Sequence, residues 1–137
     1  MHKTRKKILI MEDDKRITAA LAVRLEAAGY EVLTAGDGFA GLKHVLADRP
    51  DLLLMDIWMP VGTGFSVAQR LQKLGLDRIP KIFITASKLR GLRRTATDLG
   101  GAAFFEKPYD PDELLQAVAH ALSTNLHEPD PQPAAAG

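Results

Sequence analysis

The sequence predicts an α/β fold: a five-stranded parallel sheet, doubly wound, with a helix after each strand. Three observations carry the prediction. Five short apolar runs recur: KILIM (7–11), EVLTA (31–35), DLLLM (51–55), PKIFIT (80–85) and AAFFE (102–106). Segments of helical period lie between them and after the last. Punctuating residues fall at the junctions. Strands alternating with helices imply parallel pairing, right-handed crossovers and helices on both sheet faces.

The first, third and fourth runs are nearly continuous in Ile, Leu, Phe and Met, as expected of strands buried on both faces. Spacings of three and four define the helices. Ile17, Leu21, Leu25 and Ala28 form the first stripe, and Gly29 follows it. Phe39, Leu42 and Leu46 form the second, which Pro50 ends. Val67, Leu71 and Leu74 form the third; Leu89, Leu92, Ala96 and Leu99 the fourth; Leu114, Val118 and Leu122 the fifth. Asp110-Pro111-Asp112-Glu113 reads as an N-cap, a proline at the first helical position and an acid at the third. The last residues, STNLHEPDPQPAAAG, are rich in proline and alanine. We therefore expect a folded domain over 1–123 and a disordered tail or linker start over 124–137.

Composition narrows the function. The 137 residues suit one domain. Net charge is +1, without the strongly basic balance of a nucleic-acid binder, so no direct nucleic-acid partner is expected. The absence of cysteine excludes disulfides and thiolate-metal sites and is compatible with a reducing cytosol. No apolar run approaches the ~18 residues of a membrane span. The start, MHKTRKKILIM, offers only ILIM before acids intervene, short of the roughly 7–15 apolar residues of a signal peptide. A cytoplasmic protein without a membrane partner is the expectation. Met1 and its basic lead-in favour a stand-alone chain; the tail permits either a stand-alone chain or a larger one.

In an open parallel sheet, ligands bind at the carboxyl ends of the strands. After the first strand come Glu12, Asp13 and Asp14; after the third, Asp56; the fourth ends at Thr85; Lys107 closely follows the fifth. Asp14 is read as the cap of the first helix. Taken singly, each of the others has a bland reading as a loop acid, a strand-end threonine or a surface lysine. Together they place carboxylates, a hydroxyl and an ammonium at one edge. Clustered carboxylates repel unless a cation compensates. Hard oxygen ligands suit Mg²⁺, which commonly binds through one or two carboxylates plus phosphate oxygens. These are parts for phosphoryl transfer to a carboxylate nucleophile.

The fragments LIMEDDKRI, LLLMDIWMP, IFITAS and FFEKPYD, in that order and spacing, resemble a response-regulator receiver domain of two-component signalling over about residues 6–123. The resemblance implies a flavodoxin-like sheet of order 2-1-3-4-5. It implies that Asp56 accepts a phosphoryl group from a histidine kinase or a histidine phosphotransfer protein. Asp13 and Asp56 would ligate Mg²⁺ directly, Glu12 largely through water, and the main-chain carbonyl of Trp58 would be a further ligand. Lys107 would hold the acceptor and then the phosphoryl oxygens, and Thr85 would move toward the phosphoryl group. Phe104 falls at the aromatic switch position, but phenylalanine lacks the hydroxyl of a tyrosine. Thr63 stands before Gly64 where the family often has an acid, and a local change of turn is expected. The signal would leave through the surface from the fourth helix to the fifth toward a downstream protein. Such a module is not an enzyme, apart from its own phosphorylation and slow dephosphorylation.

Two other readings compete. A Mg²⁺-dependent phosphatase of the haloacid dehalogenase class requires a second Asp two residues after the first; that position is Trp58. A flavin or nicotinamide protein would explain Gly36, Gly38 and Gly41, a G-x-G-x-x-G. That fingerprint belongs in the first βα turn, and here it follows the second strand. Gly36 and Gly41 are read as completing it by chance. His2, His44, His120 and His127 show no metal-ligand spacing, and His44 is expected on a solvated face. Arg90, Arg93, Arg94 and Thr97 are expected to project together from the fourth helix, opposite its leucines.

Overall fold

A computed structural model describes residues 4–126. Five strands, β1 (Lys7–Met11), β2 (Glu31–Ala35), β3 (Leu52–Asp56), β4 (Lys81–Thr85) and β5 (Ala103–Glu106), alternate with five helices. These are α1 (Lys15–Ala27), α2 (Gly38–Asp48), α3 (Gly64–Lys73), α4 (Leu92–Asp98) and α5 (Pro111–Leu126). All strand pairs are parallel, in the order β2-β1-β3-β4-β5. The fold is the doubly wound, flavodoxin-like one.

Alternation along the strands divides the core in two. Leu9, Met11, Leu53, Met55 and Phe83 pack with α2, α3 and α4. Ile8, Ile10, Leu52, Leu54, Ile82 and Ile84 pack with α1 and α5. Each buried aliphatic side chain contributes roughly 1.5–3 kcal/mol, and the central strands β3 and β4 are buried at every residue. Any side chain at the end of β3 is therefore anchored to the most rigid part of the sheet.

Several boundaries and faces differ from expectation. Asp56 is the last residue of β3, not the first beyond it. α4 begins at Leu92: Gly91 takes φ 85°, and Leu89, in the loop before it, is 65% exposed. Leu89 thus leaves the expected stripe. On α2 the buried residues are Gly38, Gly41 and Val45, while Phe39 and Leu46 point outward. Leu74 and Ala28 are exposed at the C-caps of their helices. α5 continues to Leu126, three residues past the expected boundary at 123, and the rest of the expected tail, 127–137, lies outside the described residues.

The rotation of α2 has a packing cause. A Cβ on Gly41 would collide with the sulfur of Met11, and one on Gly38 with the carbonyl oxygen of Gly62. The glycines let α2 settle on β1 and on the loop after β3. There the Gly38 and Phe39 N–H groups donate to the carbonyls of Pro60 and Val61 at 3.4 and 3.1 Å. Gly41 is thus there for packing and not by chance, whereas a Cβ on Gly36 would meet nothing.

Candidate functional site

The site is built where β1, β3 and β5 end. Asp14 caps α1, its Oδ1 accepting from the Arg16 and Ile17 N–H groups at 2.9 and 3.3 Å. That turn holds Glu12 and Asp13 at the sheet edge. Glu12 is buried; its Oε2 accepts from the Asp14 N–H at 3.1 Å. Asp56 is also buried, and its Oδ1 accepts from the Trp58 N–H at 3.0 Å. Lys107 follows β5, ahead of a cis peptide bond to Pro108. Its Nζ donates to Glu12 Oε1 at 2.8 Å and to Asp56 Oδ2 at 3.1 Å. One oxygen each from Glu12, Asp13 and Asp56 lie within 4.8 Å of one another.

The electrostatics follow from this crowding. Burial pushes the Glu12 carboxyl above its ordinary 4.5, helped by the charge of Asp56 and opposed by the hydrogen bonds from Lys107 and Asp14. Burial alone would lower Lys107, but its bonds to Glu12 and Asp56 outweigh that and hold the ammonium above the usual lysine value. Two buried carboxylates facing one ammonium leave an excess of negative charge. Asp13, exposed, adds a third carboxylate. The donor set is oxygen only, which fits a hard divalent cation.

Thr85 ends β4, beyond the Ile84 that pairs with Asp56. It is fully buried; its Oγ1 accepts from the Ser87 N–H at 3.0 Å, and its carbonyl accepts from the Lys107 N–H at 2.8 Å. Phe104 pairs with Phe83 across β4 and β5, on the α4 side. The Arg93 guanidinium lies 4.7 Å from its ring centroid. Trp58 is 48% exposed. Thr63, standing in place of the family's frequent acid, caps α3: its Oγ1 accepts from the Ser66 N–H at 3.0 Å.

Some expectations concern other residues. His44 Nδ1 lies 2.8 Å from Asp48 Oδ2, so its half-exposed ring is paired within α2. His120 is exposed; His2 and His127 lie outside the described residues. Sequence reasoning passed over three residues. Tyr109, two after Lys107, is half-buried, and burial raises its phenol above 10. The one signal for it was its place beside the lysine in FFEKPYD. Lys88 pairs with Glu106 at 3.2 Å across the ends of β4 and β5, with no motif to mark it. Lys81 reads as a strand residue, yet its side chain is buried.

Fold and site together define a doubly wound α/β domain with an acidic pocket and a bridging lysine at its carboxyl edge. The chain belongs to the family described as response regulator receiver domain, whose match covers residues 8–119. It is 38% identical over 112 residues to the transcriptional regulatory protein DltR of Streptococcus agalactiae, covering 82% of this chain and 50% of that protein. It is 33% identical over 117 residues to the alkaline phosphatase synthesis transcriptional regulatory protein PhoP of Bacillus subtilis, covering 85% and 48%. The chain thus spans about half the length of these relatives. Among solved structures, a CheY-like response regulator receiver domain protein from Methanospirillum hungatei superposes with a TM-score of 0.86 at 28% identity, covering 92% of this chain and all of that one. Among the described residues, no helix is long and apolar enough to cross a membrane.

Proposed function

We propose that this receiver domain accepts a phosphoryl group on Asp56 from the phosphohistidine of a histidine kinase or phosphotransfer protein, and that the change alters its affinity for a downstream protein. One observation supports this most: Lys107 bridges Glu12 and Asp56, with Asp56 on the last residue of a fully buried strand. An Asp56 oxygen attacks phosphorus, the P–N bond of the donor breaks, and the donor imidazole leaves with its electron pair. Lys107, already on Asp56 Oδ2, holds the acceptor in place and meets the phosphoryl oxygens as they arrive. Thr85, on the neighbouring strand end, supplies a hydroxyl to the same group.

Mg²⁺ would be held by Glu12, Asp13, Asp56 and the main-chain carbonyl of Trp58. It supplies positive charge that offsets the three carboxylates and the incoming phosphate. Thr85 and Phe104 form the switch pair, and the α4–β5–α5 surface carries the response. The domain acts as a cytoplasmic signalling module, with no catalysis beyond its own phosphorylation and dephosphorylation. A phosphatase with an Asp nucleophile needs an acid where Trp58 stands, and nothing favours that reading.

Incubation with Mg²⁺ and acetyl phosphate tests the proposal. The intact mass should rise by about 80 Da, one phosphoryl group, and Asp56→Asn should abolish the gain. An Asp56→Asn protein that still gained the mass would overturn the assignment.

A further inference from the structure

We propose that a cavity at the amino ends of β4 and β5, across the sheet from the acid cluster, binds a small oxyanion of the phosphate or carboxylate class through Lys81. Lys81 is the first residue of β4, and only 1% of it is exposed. Its Nζ donates to the main-chain carbonyl of Asp77 at 3.2 Å. Among the described residues no carboxylate comes within 4.0 Å of that Nζ, although Asp77 also lines the cavity. An ammonium has three N–H donors and a full charge. Lysines are almost never fully buried unless paired, because an uncompensated buried charge is costly. Here one neutral carbonyl stands where an anion would be expected.

The space for that anion is present. A cavity of about 330 Å³ adjoins Lys81, lined also by Gly100, Ala102, His120 and Thr124. Gly100 takes φ 83° and has no side chain, and the atom nearest to where its Cβ would stand is Lys81 Nζ, at 3.9 Å. An atom placed in that gap would therefore touch the ammonium. His120 and Thr124, exposed on α5, add an imidazole and a hydroxyl at the rim. Burial lowers the proton affinity of Lys81, with Asp77 opposing the shift, and an anion would restore it. The site is independent of the phosphorylation chemistry and lies at the other end of β4.

Inorganic phosphate, and separately acetate, would be titrated into the full chain without Mg²⁺ while amide resonances are followed by NMR. Saturable shifts are expected at Gly100, Ala102 and His120. Lys81→Met should weaken binding at least tenfold. His120→Ala, a surface change, should weaken it several-fold and carries the comparison if Lys81→Met does not fold. Shifts confined to the neighbourhood of Asp56 and Lys107, non-saturating shifts, or full affinity in either variant would overturn the proposal. Glu128→Gln combined with Asp130→Asn completes the test. Binding by that variant alone would mean that the chain's own carboxylates fill the cavity, and would overturn the free-ligand assignment.

Discussion

Lys107 Nζ lies 2.8 Å from Glu12 Oε1, a contact between the two ends of the domain fold across 95 residues of sequence. The same ammonium reaches Asp56, so it ties β5 to β1 and β3. Lys107→Met should cost roughly 2 kcal/mol at neutral pH, below the ~3–5 kcal/mol of a fully buried pair, because 18% of the lysine side chain meets solvent. The deficit should shrink as pH falls, since burial already raises Glu12 above 4.5 and it takes a proton readily. In the natural protein Lys107 is held above 10.5. On the alkaline side its contribution therefore persists up to 10.5 and is lost as pH rises through the folded-state value. Thermal unfolding of both proteins from acid to alkaline pH checks the sign.

Trp58 is expected to report on the pocket and to shield it. Its main-chain N–H already donates to Asp56, and the residue is half-exposed. Mg²⁺ should change the fluorescence of this sole tryptophan. Hydrolysis of an aspartyl phosphate needs a well-positioned water, which a large apolar side chain impedes. The phosphoryl half-life should therefore be longer than in Trp58→Asn. Equal half-lives and a flat titration would reduce Trp58 to a packing residue.

The basic face of α4 is a candidate docking surface. Arg93, Arg94 and Thr97 are exposed on α4, as expected from the sequence, whereas Arg90, also exposed, lies in the turn before the helix. The structure adds that Arg93 also covers Phe104, and that Arg94 lies 3.8 Å from Asp98. Partner binding should weaken with added salt, because screening shortens to ~8 Å at physiological ionic strength. Arg93→Glu with Arg94→Glu should abolish it; intact binding would exclude this face. Arg93→Ala alone should destabilise the fold by only about 0.5–1 kcal/mol, the size of an exposed cation–π contact.

The α2 glycines should differ in their tolerance of a methyl group. Gly38→Ala drives Cβ into a backbone carbonyl, which cannot rotate away, and should cost about 2–3 kcal/mol. Gly41→Ala meets the flexible Met11 side chain and regains ~1 kcal/mol of helix propensity, so the loss should be smaller. Chemical denaturation of the two variants ranks them.

Much of this was legible because apolar period and punctuation are local signals. The five strands, the caps at Asp14 and Asp110, and the gathering of Glu12, Asp13, Asp56 and Lys107 all follow from position along the chain. What escaped depended on contacts distant in sequence. The inner face of α2 was misread because glycine adds nothing to an apolar stripe, yet close approach to Met11 requires it. Leu89 fits a helical period, but Gly91 breaks the helix before it. Nothing in PKIFIT announces that Lys81 is buried.

The cap of α4 has a consequence for how the molecule opens. Asp14, Asp37 and Thr63 each close the first turn of their helices with a side-chain hydrogen bond, whereas Gly91 offers none. α4 is also only seven residues long. Local opening free energies within one protein run from about zero to the global value. Amides of β3, enclosed between β1 and β4, should exchange with solvent only on global unfolding. Those of α4 should exchange through partial opening, at the lowest free energy of the five helices. The segment whose Arg93 lies over Phe104 should thus be the helix that reorders most readily, and under the proposed switch a change at Thr85 would redistribute its conformers.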